Sequence, residues 1–188
     1  MNIDKKEMII LAQKGDLNAL EQLLKEEQSN IYATLFYLKK DSNDIKDLVQ
    51  DILIKLSKKI TQLKNPAYFK TWLNQIIINS YYDYLRKNKK YKNEIKLNHP
   101  LQDIATDIPD YDSNPQNSLL KNELDFVIKT SIENLPIHYK IPIALREIQG
   151  LSYDEISNIT NTSIGTIKSR IARARAKIKD DIIKYSKG

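Results

Sequence analysis

The stretch LSYDEISNITNTSIGTIKSRIARARAKI, residues 151–178, contains two helical patterns separated by a short turn. Ser152 and Glu155 have the spacing of a capping box, which predicts that the first helix begins at Ser152. The turn TNTS ends at Ser163, which is placed to cap the second helix. Two short helices joined by such a turn, the second strongly basic, are typical of a helix-turn-helix.

The second of these helices has three distinct faces when its residues are rotated by 100° each. The buried side is predicted to be Ile167, Ile171, Ala174 and Ile178. One flank carries Lys168, Arg175 and Lys179, the other Arg170, Arg173 and Lys177, and between them lie Ser169, Ala172 and Ala176. Small side chains between two cationic flanks suit a helix in the major groove, where cations reach both phosphate walls.

The alternative for this helix is a solvated amphipathic surface. Solvated helices usually alternate acidic with basic residues. No acidic residue occurs from Ser163 to Lys179, which favours DNA binding.

The bulk composition restricts the classes of protein and of site. The 188 residues contain no Cys, which excludes disulfides and cysteine-ligated metals, and two His leave little for a zinc site. The longest run of hydrophobic residues, Met8 to Ala12, is far too short to span a membrane, and no signal peptide is visible. We therefore expect a cytoplasmic protein.

The net charge of +6 is unevenly distributed. Residues 1–97 carry 18 basic and 12 acidic side chains, and residues 119–188 carry 12 and 8. Residues 98–118 carry four acidic side chains and no basic one. Basic lobes favour a polyanionic partner such as nucleic acid, although a solvated surface remains open on charge alone.

Helical periodicity extends through both lobes, which predicts an all-α protein with two helical domains. The predicted helices cover about 4–13, 17–38, 42–59, a fourth starting at the Asn65–Pro66 cap, 119–133, 136–149, 152–160 and 163–184. Pro142 is expected to kink or restart its helix. The boundaries predict domains at 1–97 and 119–188.

The segment 98–118 has no apolar period and contains three prolines, so we interpret it as an acidic linker. Its four acids, Asp103, Asp107, Asp110 and Asp112, could form a metal cluster. They have no predicted scaffold, so a solvated linker is favoured.

Two patterns in the N-terminal lobe have open interpretations. The end of the fourth helix, YYDYLRKNKKYK from Tyr81 to Lys92, interleaves aromatic and cationic residues. Its tyrosines either stack on unpaired bases or pack on the core with wet hydroxyls. Asp44, Asp47 and Asp51 form an acidic edge at helical spacing, which either docks a basic protein or is solvated.

In combination these features resemble bacterial RNA polymerase sigma factors of the small, extracytoplasmic-function type. DLVQDILIKL resembles the family's segment that binds core polymerase, and YFKTWLNQIIINSYYDYLRK its promoter-melting segment. LREIQGLSYDEISNITNTSIGTIKSRIARARAKI resembles its promoter helix-turn-helix.

The resemblance implies a role for particular residues. The clamp coiled coil of the largest polymerase subunit would bind Asp47, Leu48, Gln50 and Asp51. The melted non-template strand of the minus-ten element would meet Lys64, Asn65, Tyr68, Asn79, Arg86 and Lys87. Duplex DNA at the minus-thirty-five element would meet Arg146, Thr166, Lys168, Ser169 and Arg173.

The resemblance further implies an anti-sigma factor as a partner, and an acidic linker that threads toward the RNA path. It implies no catalytic residue, cofactor, metal or membrane insertion. Trp72, within the apolar stripe of its helix, is expected in the core rather than on a base. The loop before Pro66 lacks the Gly and Arg often seen in the family, and Ala172 is smaller than the side chain that relatives can carry.

Two rival functions can be weighed against this one. A helix-turn-helix repressor or activator would bind duplex DNA without polymerase, but leaves the acidic edge and the Tyr/Lys end unexplained. A nuclease or nucleotidyl-transferring enzyme needs clustered carboxylates on a rigid scaffold, and only the linker is rich in carboxylates.

Overall fold

The computed structural model describes residues 4–38, 42–94 and 115–187, with side chains at 4–38, 44–87 and 123–187. The helices in these ranges are α1 (Lys5–Gln13), α2 (Leu17–Leu38), α3 (Ser42–Lys59), α4 (Phe69–Glu94), α5 (Pro115–Glu133), α6 (Ile137–Glu147), α7 (Tyr153–Thr160) and α8 (Ile164–Ser186). The described residues contain no strand, so the all-α prediction is confirmed.

The helix ends lie close to the predicted positions because local signals set them. Gly15, with φ +93°, ends α1, and the Asp16 carboxylate then accepts hydrogen bonds from the N–H groups of Asn18 and Ala19 at the start of α2. The largest difference is α5, which begins at Pro115 rather than near Leu119.

The helix does not restart at Pro142, because α6 continues through this residue, and the alternative of a kink stays a prediction. Pro142 is buried, and its ring deprives the carbonyl of His138 of a helical donor. His138 is exposed in the first turn of α6, where water can reach its backbone, so the helix tolerates the loss.

Two helical units share one continuous core. In the first unit α1 packs on α2, α2 on α3, and α3 on α4; in the second, α5, α6 and α7 pack around α8. The units meet where α2 contacts α5 and α6, and where α4 contacts α7. This contact places the helix-turn-helix beside the start of α4.

The core of the first unit should be sensitive to a cavity at Ile77, which is fully buried on α4. We expect Ile77→Ala to lower the free energy of unfolding by about 2–5 kcal/mol, because lost burial and an unfilled cavity add. Denaturant unfolding followed by circular dichroism measures the change. Ile54→Ala is the matched control, since Ile54 is 43% exposed and should lose much less. Equal losses at both positions would contradict this description of the core.

Candidate nucleic-acid interface

The helix-turn-helix is held by two side-chain caps and one strained residue. The Glu155 backbone N–H donates to Ser152 Oγ over 3.2 Å, and the Ser152 N–H donates to Glu155 Oε2 over 2.8 Å. Asn161 ends α7 in the left-handed conformation at φ +53°. Ser163 Oγ then accepts the Thr166 N–H at the start of α8. The predicted capping box and second cap are confirmed.

The three faces of α8 agree with those predicted by rotating its residues by 100° each. Ile167, Ile171 and Ala174 are almost completely buried, and Ile178 packs partly against the same core. On the opposite side Ser169, Ala172 and Ala176 are exposed. The strip of small side chains therefore faces outward, as a helix that enters a groove requires.

The cationic flanks of α8 differ in their contacts within the chain. Arg175 donates to Glu147 Oε1 from Nε over 3.0 Å and from its terminal nitrogen over 2.6 Å, and this bond raises the pKa of the arginine. Arg173 lies 3.5 Å from the hydroxyl of Tyr139, at the outer limit of a hydrogen bond. The flank residues are thus unequal, a difference that periodicity does not reveal.

Four of the five residues expected at the minus-thirty-five element lie on α8, and the fifth comes from α6. Lys168, Ser169 and Arg173 are exposed on α8, and the half-buried Thr166 hydroxyl lies 2.8 Å from Ser163 Oγ. Arg146 comes from α6, where its guanidinium donates to the Leu151 carbonyl over 2.7 Å.

Tyr153 links two of these cations and was missed by the sequence argument. The guanidinium of Arg146 lies 4.8 Å from the Tyr153 ring centroid, and Lys168 Nζ lies 5.8 Å from it. Cations over an aromatic face are attracted by its quadrupole. In the sequence, only the position of Tyr153 directly after the capping Ser152 indicates that its ring could contact these two cations.

The loop before α4 forms a second exposed surface. The Asn65 carboxamide oxygen accepts the Ala67 N–H over 3.0 Å and caps a 3₁₀ turn at Pro66–Tyr68, so the predicted cap is confirmed. Gln13, from α1, donates to the carbonyls of Ile60 and Leu63 over 3.0 and 2.6 Å. The amide of Gln13 therefore ties this loop to the body of the first unit.

An open, largely apolar groove of about 600 Å³ adjoins this loop. Lys64, Asn65 and Tyr68 line it together with Trp72, and the Tyr68 side chain is 66% exposed. Trp72 is half-buried and packs tilted against Phe69, with centroids 6.1 Å apart. Trp72 thus touches the core, as expected, and also forms part of the groove wall.

The tyrosines of α4 were predicted either to stack on unpaired bases or to pack on the core, and the structure separates them into buried and exposed residues. Tyr81 is buried, donates to the Leu38 carbonyl, and its pKa is raised to about 12 by burial. The Tyr84 hydroxyl donates to Asp44 over 2.7 Å. Tyr82 remains 37% exposed. The first two therefore pack against the protein, whereas Tyr82 is accessible from outside.

Residues further along α4 are accessible to a polyanion. Asn79, Arg86 and Lys87 are exposed, Asn79 accepts from Gln75 Nε2 over 3.1 Å, and Arg86 pairs with Asp83. Asn79, Tyr82 and Arg86 border a groove of about 1,020 Å³ that also contains Lys55 and Lys140. Tyr91 and its neighbouring lysines lie outside the described side chains.

The acidic edge lies on α3, beside α4. Asp44, Asp47 and Asp51 line a groove of about 240 Å³ together with Asp83, Lys55 and Lys87. Gln50 is exposed, whereas Leu48 is only 6% exposed and contributes mainly to the core. The predicted surface is therefore formed by the carboxylates and Gln50, with Leu48 beneath them.

Two negative findings apply to the described residues. They contain no group of three or more His, Cys, Asp or Glu side chains that could hold a metal. None of their helices has both the length and the apolar content needed to cross a bilayer. The four linker acids lie outside the described ranges, and the interpretation of residues 98–114 stays a prediction.

Comparison with known families and structures identifies both units. Residues 23–91 match Sigma-70 region 2, and residues 126–178 match Sigma-70 region 4. The chain is 36% identical over 173 residues to the ECF RNA polymerase sigma-E factor of Haemophilus influenzae. It is 32% identical over 179 residues to that of Escherichia coli K12, with 90% of both chains covered in each case.

Solved structures support the same arrangement of helices. The sigma factor RpoE of Bartonella quintana, in complex with the anti-sigma factor NepR, is 25% identical with a TM-score of 0.71. That match covers 86% of this chain and 95% of the other. CnrH, in complex with the cytosolic domain of CnrY, shares the fold with a TM-score of 0.66 at 19% identity, over 96% and 97%. Because these relatives span nearly the whole chain, the protein is a member of the extracytoplasmic-function family of RNA polymerase sigma factors.

Proposed function

We propose that this sigma factor binds core polymerase through its acidic groove and reads two promoter elements, one through α8 and the other through α4 and the loop before it. The polymerase contact is assigned to Asp47, Gln50 and Asp51, with Leu48 supporting them. Four carboxylates outnumber the two lysines that line this groove, so it suits the basic surface of a protein partner, here the clamp coiled coil of the largest subunit. The alternative of a repressor without polymerase does not account for a chain that matches sigma factors over both units.

The minus-thirty-five element is assigned to the outward face of α8. The observation that carries this assignment is the exposed strip of small side chains between cations on a helix whose opposite face is buried. Lys168, Ser169 and Arg173 reach base edges and nearby phosphates, and Thr166 and Arg146 contact flanking phosphates. Arg146 also holds the α6–α7 turn, so it has a structural as well as a binding role.

The minus-ten element is assigned to the apolar groove beside the Asn65–Pro66 loop. A base unstacked from the duplex gains an aromatic surface at the exposed Tyr68, while Lys64 and Asn65 supply polar contacts. Asn79, Arg86 and Lys87 contact the strand further along α4. Melting then needs only that flipped bases bind this surface better than they stack, by a few kcal/mol.

We further propose three domain-level features. Residues 1–97 form the region 2 domain, 98–118 the acidic linker, and 119–188 the region 4 domain, bounds that contain both family matches. An anti-sigma factor regulates the chain, as NepR binds RpoE of Bartonella quintana. The place of action is the cytoplasm, where polymerase and promoters are found, and the chain performs no covalent chemistry itself.

The melting assignment is tested at Tyr68. With the chain reconstituted on bacterial core polymerase, Tyr68→Ala should lower the yield of open complex by about 5- to 150-fold. That range corresponds to the 1–3 kcal/mol which base–aromatic stacking contributes. Permanganate reactivity of thymines in the melted region measures the yield, and transcript starts on genomic DNA report whether the complex is productive.

Tyr68→Phe is the matched control, because it keeps the ring and removes only the hydroxyl. It should melt DNA nearly as well as the unaltered chain. If the Ala and Phe variants melted DNA equally well, Tyr68 would not be a stacking surface. If the unaltered chain produced no starts that depend on it, the proposed function itself would be wrong.

A further inference from the structure

One carboxylate reaches the basic helix α8 from a different helix. Glu147, the last residue of α6, accepts two hydrogen bonds at Oε1 from the Arg175 guanidinium, over 3.0 Å from Nε and 2.6 Å from a terminal nitrogen. The sequence of α8 supplies no acidic residue of its own from Ser163 to Lys179. The pairing therefore depends on the packing of α6 against α8.

The other two arginines of α8 are held much less firmly than Arg175. Arg170 and Arg173 each lie 3.5 Å from a hydroxyl, that of Thr162 and that of Tyr139 respectively. This distance is the outer limit of a hydrogen bond. Neither arginine forms an ion pair with a residue that the structure describes. The guanidinium of Arg175 is thus the one that the chain itself occupies.

The charge of Glu147 is unfavourable for the helix that carries it. The last turn of an α-helix has a partial negative charge, which favours cations and disfavours carboxylates. The preceding residue, Arg146, has the favourable charge and donates to the Leu151 carbonyl over 2.7 Å. The ion pair of the Glu147 side chain is instead with Arg175. Glu147 therefore acts on α8 rather than on its own helix.

The ion pair is open to solvent, so an external anion can compete for the arginine. The side chains of Arg175 and Glu147 are 52% and 46% exposed. Exposed pairs contribute little to stability, so exchanging the carboxylate for another anion weakens the fold little. Arginine binds a phosphate with the same pair of N–H donors that it offers to a carboxylate. A DNA phosphate must therefore displace Glu147 before it can bind Arg175 in this way.

We propose that Glu147 competes with the DNA backbone for Arg175 and thereby lowers the affinity of α8 for any duplex. Contacts with phosphates carry no sequence information, so the affinity that Glu147 removes is shared by promoter and non-promoter DNA. The base contacts assigned to α8 are unaffected, so a larger share of the remaining affinity depends on sequence. The inference rests on the proposed assignment of the minus-thirty-five element to α8. It adds a residue of α6 that acts through Arg175 and not by binding DNA.

A double-mutant cycle on the full chain, reconstituted with core polymerase, tests the competition. Affinity is measured by fluorescence anisotropy at several salt concentrations, for a promoter duplex and for one with a scrambled minus-thirty-five element. Glu147→Ala should raise the affinity for both duplexes by about two- to fivefold, the extent to which an exposed ion pair shifts an equilibrium. It should also steepen the fall of log K with log salt by up to about 0.9, because one more phosphate is neutralised.

The same substitution should have little effect when Arg175→Ala is already present, because the arginine for which Glu147 competes is then absent. Both side chains are exposed, so we expect the single and double variants to fold. Asp180→Ala is the matched control. It removes an exposed carboxylate of α8 that forms no ion pair with any described residue. It should change the affinity less than Glu147→Ala does, and equally with or without Arg175.

Two outcomes would overturn the proposal. If Glu147→Ala raised the affinity equally with and without Arg175, Glu147 would act only by repelling DNA. If Glu147→Ala left the affinity unchanged or lowered it, Glu147 would not compete with DNA for this arginine. Either result leaves the proposed function standing. That function fails by a separate measurement, namely equal binding of the promoter and scrambled duplexes by polymerase that carries the unaltered chain.

Discussion

Arg173→Ala is expected to weaken promoter binding by the reconstituted polymerase by about 1–3 kcal/mol, or roughly 5- to 150-fold, while core polymerase binding is unchanged. The Arg173 side chain is exposed beside the small-residue strip of α8. Its guanidinium has only a 3.5 Å approach to Tyr139 to give up when it binds a base edge. Promoter affinity by fluorescence anisotropy, measured at several salt concentrations, gives the effect.

Arg175→Ala provides the matched control on the same helix. The guanidinium of Arg175 is held by Glu147 through two hydrogen bonds, so it is less available for a base. An exposed ion pair of this kind contributes about 0–1 kcal/mol, so a phosphate can still compete for the arginine. The expected result is a smaller loss that is the same for all DNA sequences and lowers the salt dependence.

The losses of DNA affinity caused by the two variants should therefore differ both in magnitude and in their dependence on DNA sequence. If Arg173→Ala reduced binding to promoter and non-promoter DNA equally, Arg173 would contact phosphate and not bases. If it also reduced affinity for core polymerase, the assignment of DNA and polymerase binding to different units would be wrong.

Asp47→Lys is expected to have the opposite pattern, with loss of core polymerase affinity. Disrupting one partner of a close charge pair at an interface costs about 2–5 kcal/mol, roughly 30-fold to several thousandfold in affinity. Asp47 is exposed on the rim of the acidic groove, so folding should be little affected. Binding of labelled chain to core polymerase, by anisotropy or by co-migration, measures the change.

Asp180→Lys introduces the same change of charge at an exposed site on α8, away from the groove. It should leave core affinity within a few-fold of that of the unaltered chain. Once saturating polymerase compensates for the weaker complex, Asp47→Lys should still select the same promoter. Unchanged core affinity for Asp47→Lys would refute the docking assignment.

Helix positions could be predicted well because their signals are local. The Ser152–Glu155 capping box, Gly15 and Asn65 each act within one helical turn, and each ends or begins a helix as expected. The outward face of α8 follows for the same reason, since 3.6-residue periodicity alone assigns the buried and exposed sides. Pro142 does not restart its helix, because whether a missing N–H ends a helix depends on what else can donate to the carbonyl left without a partner.

The partners of the candidate site residues could not be predicted in this way. Whether Tyr81 stacks on a base or packs depends on the Leu38 carbonyl, which lies 43 residues away in sequence. Likewise Arg175 is held by Glu147 across 28 residues, and Asp83 joins the acidic groove from another helix. These pairs join residues of different helices, so the periodicity within one helix cannot predict them.

The sequence by itself determined that the chain is helical, where most of its helices begin and end, and which faces of α8 could meet DNA. These properties depend on caps, turns and spacing within about one or two helical turns. Only the tertiary structure decided that α7 lies against the start of α4 and the loop before it, with Glu155 bonded to Thr71 and Gln149 to Thr34. Those bonds join residues 84 and 115 positions apart, and they form only after both units have folded and their surfaces have met.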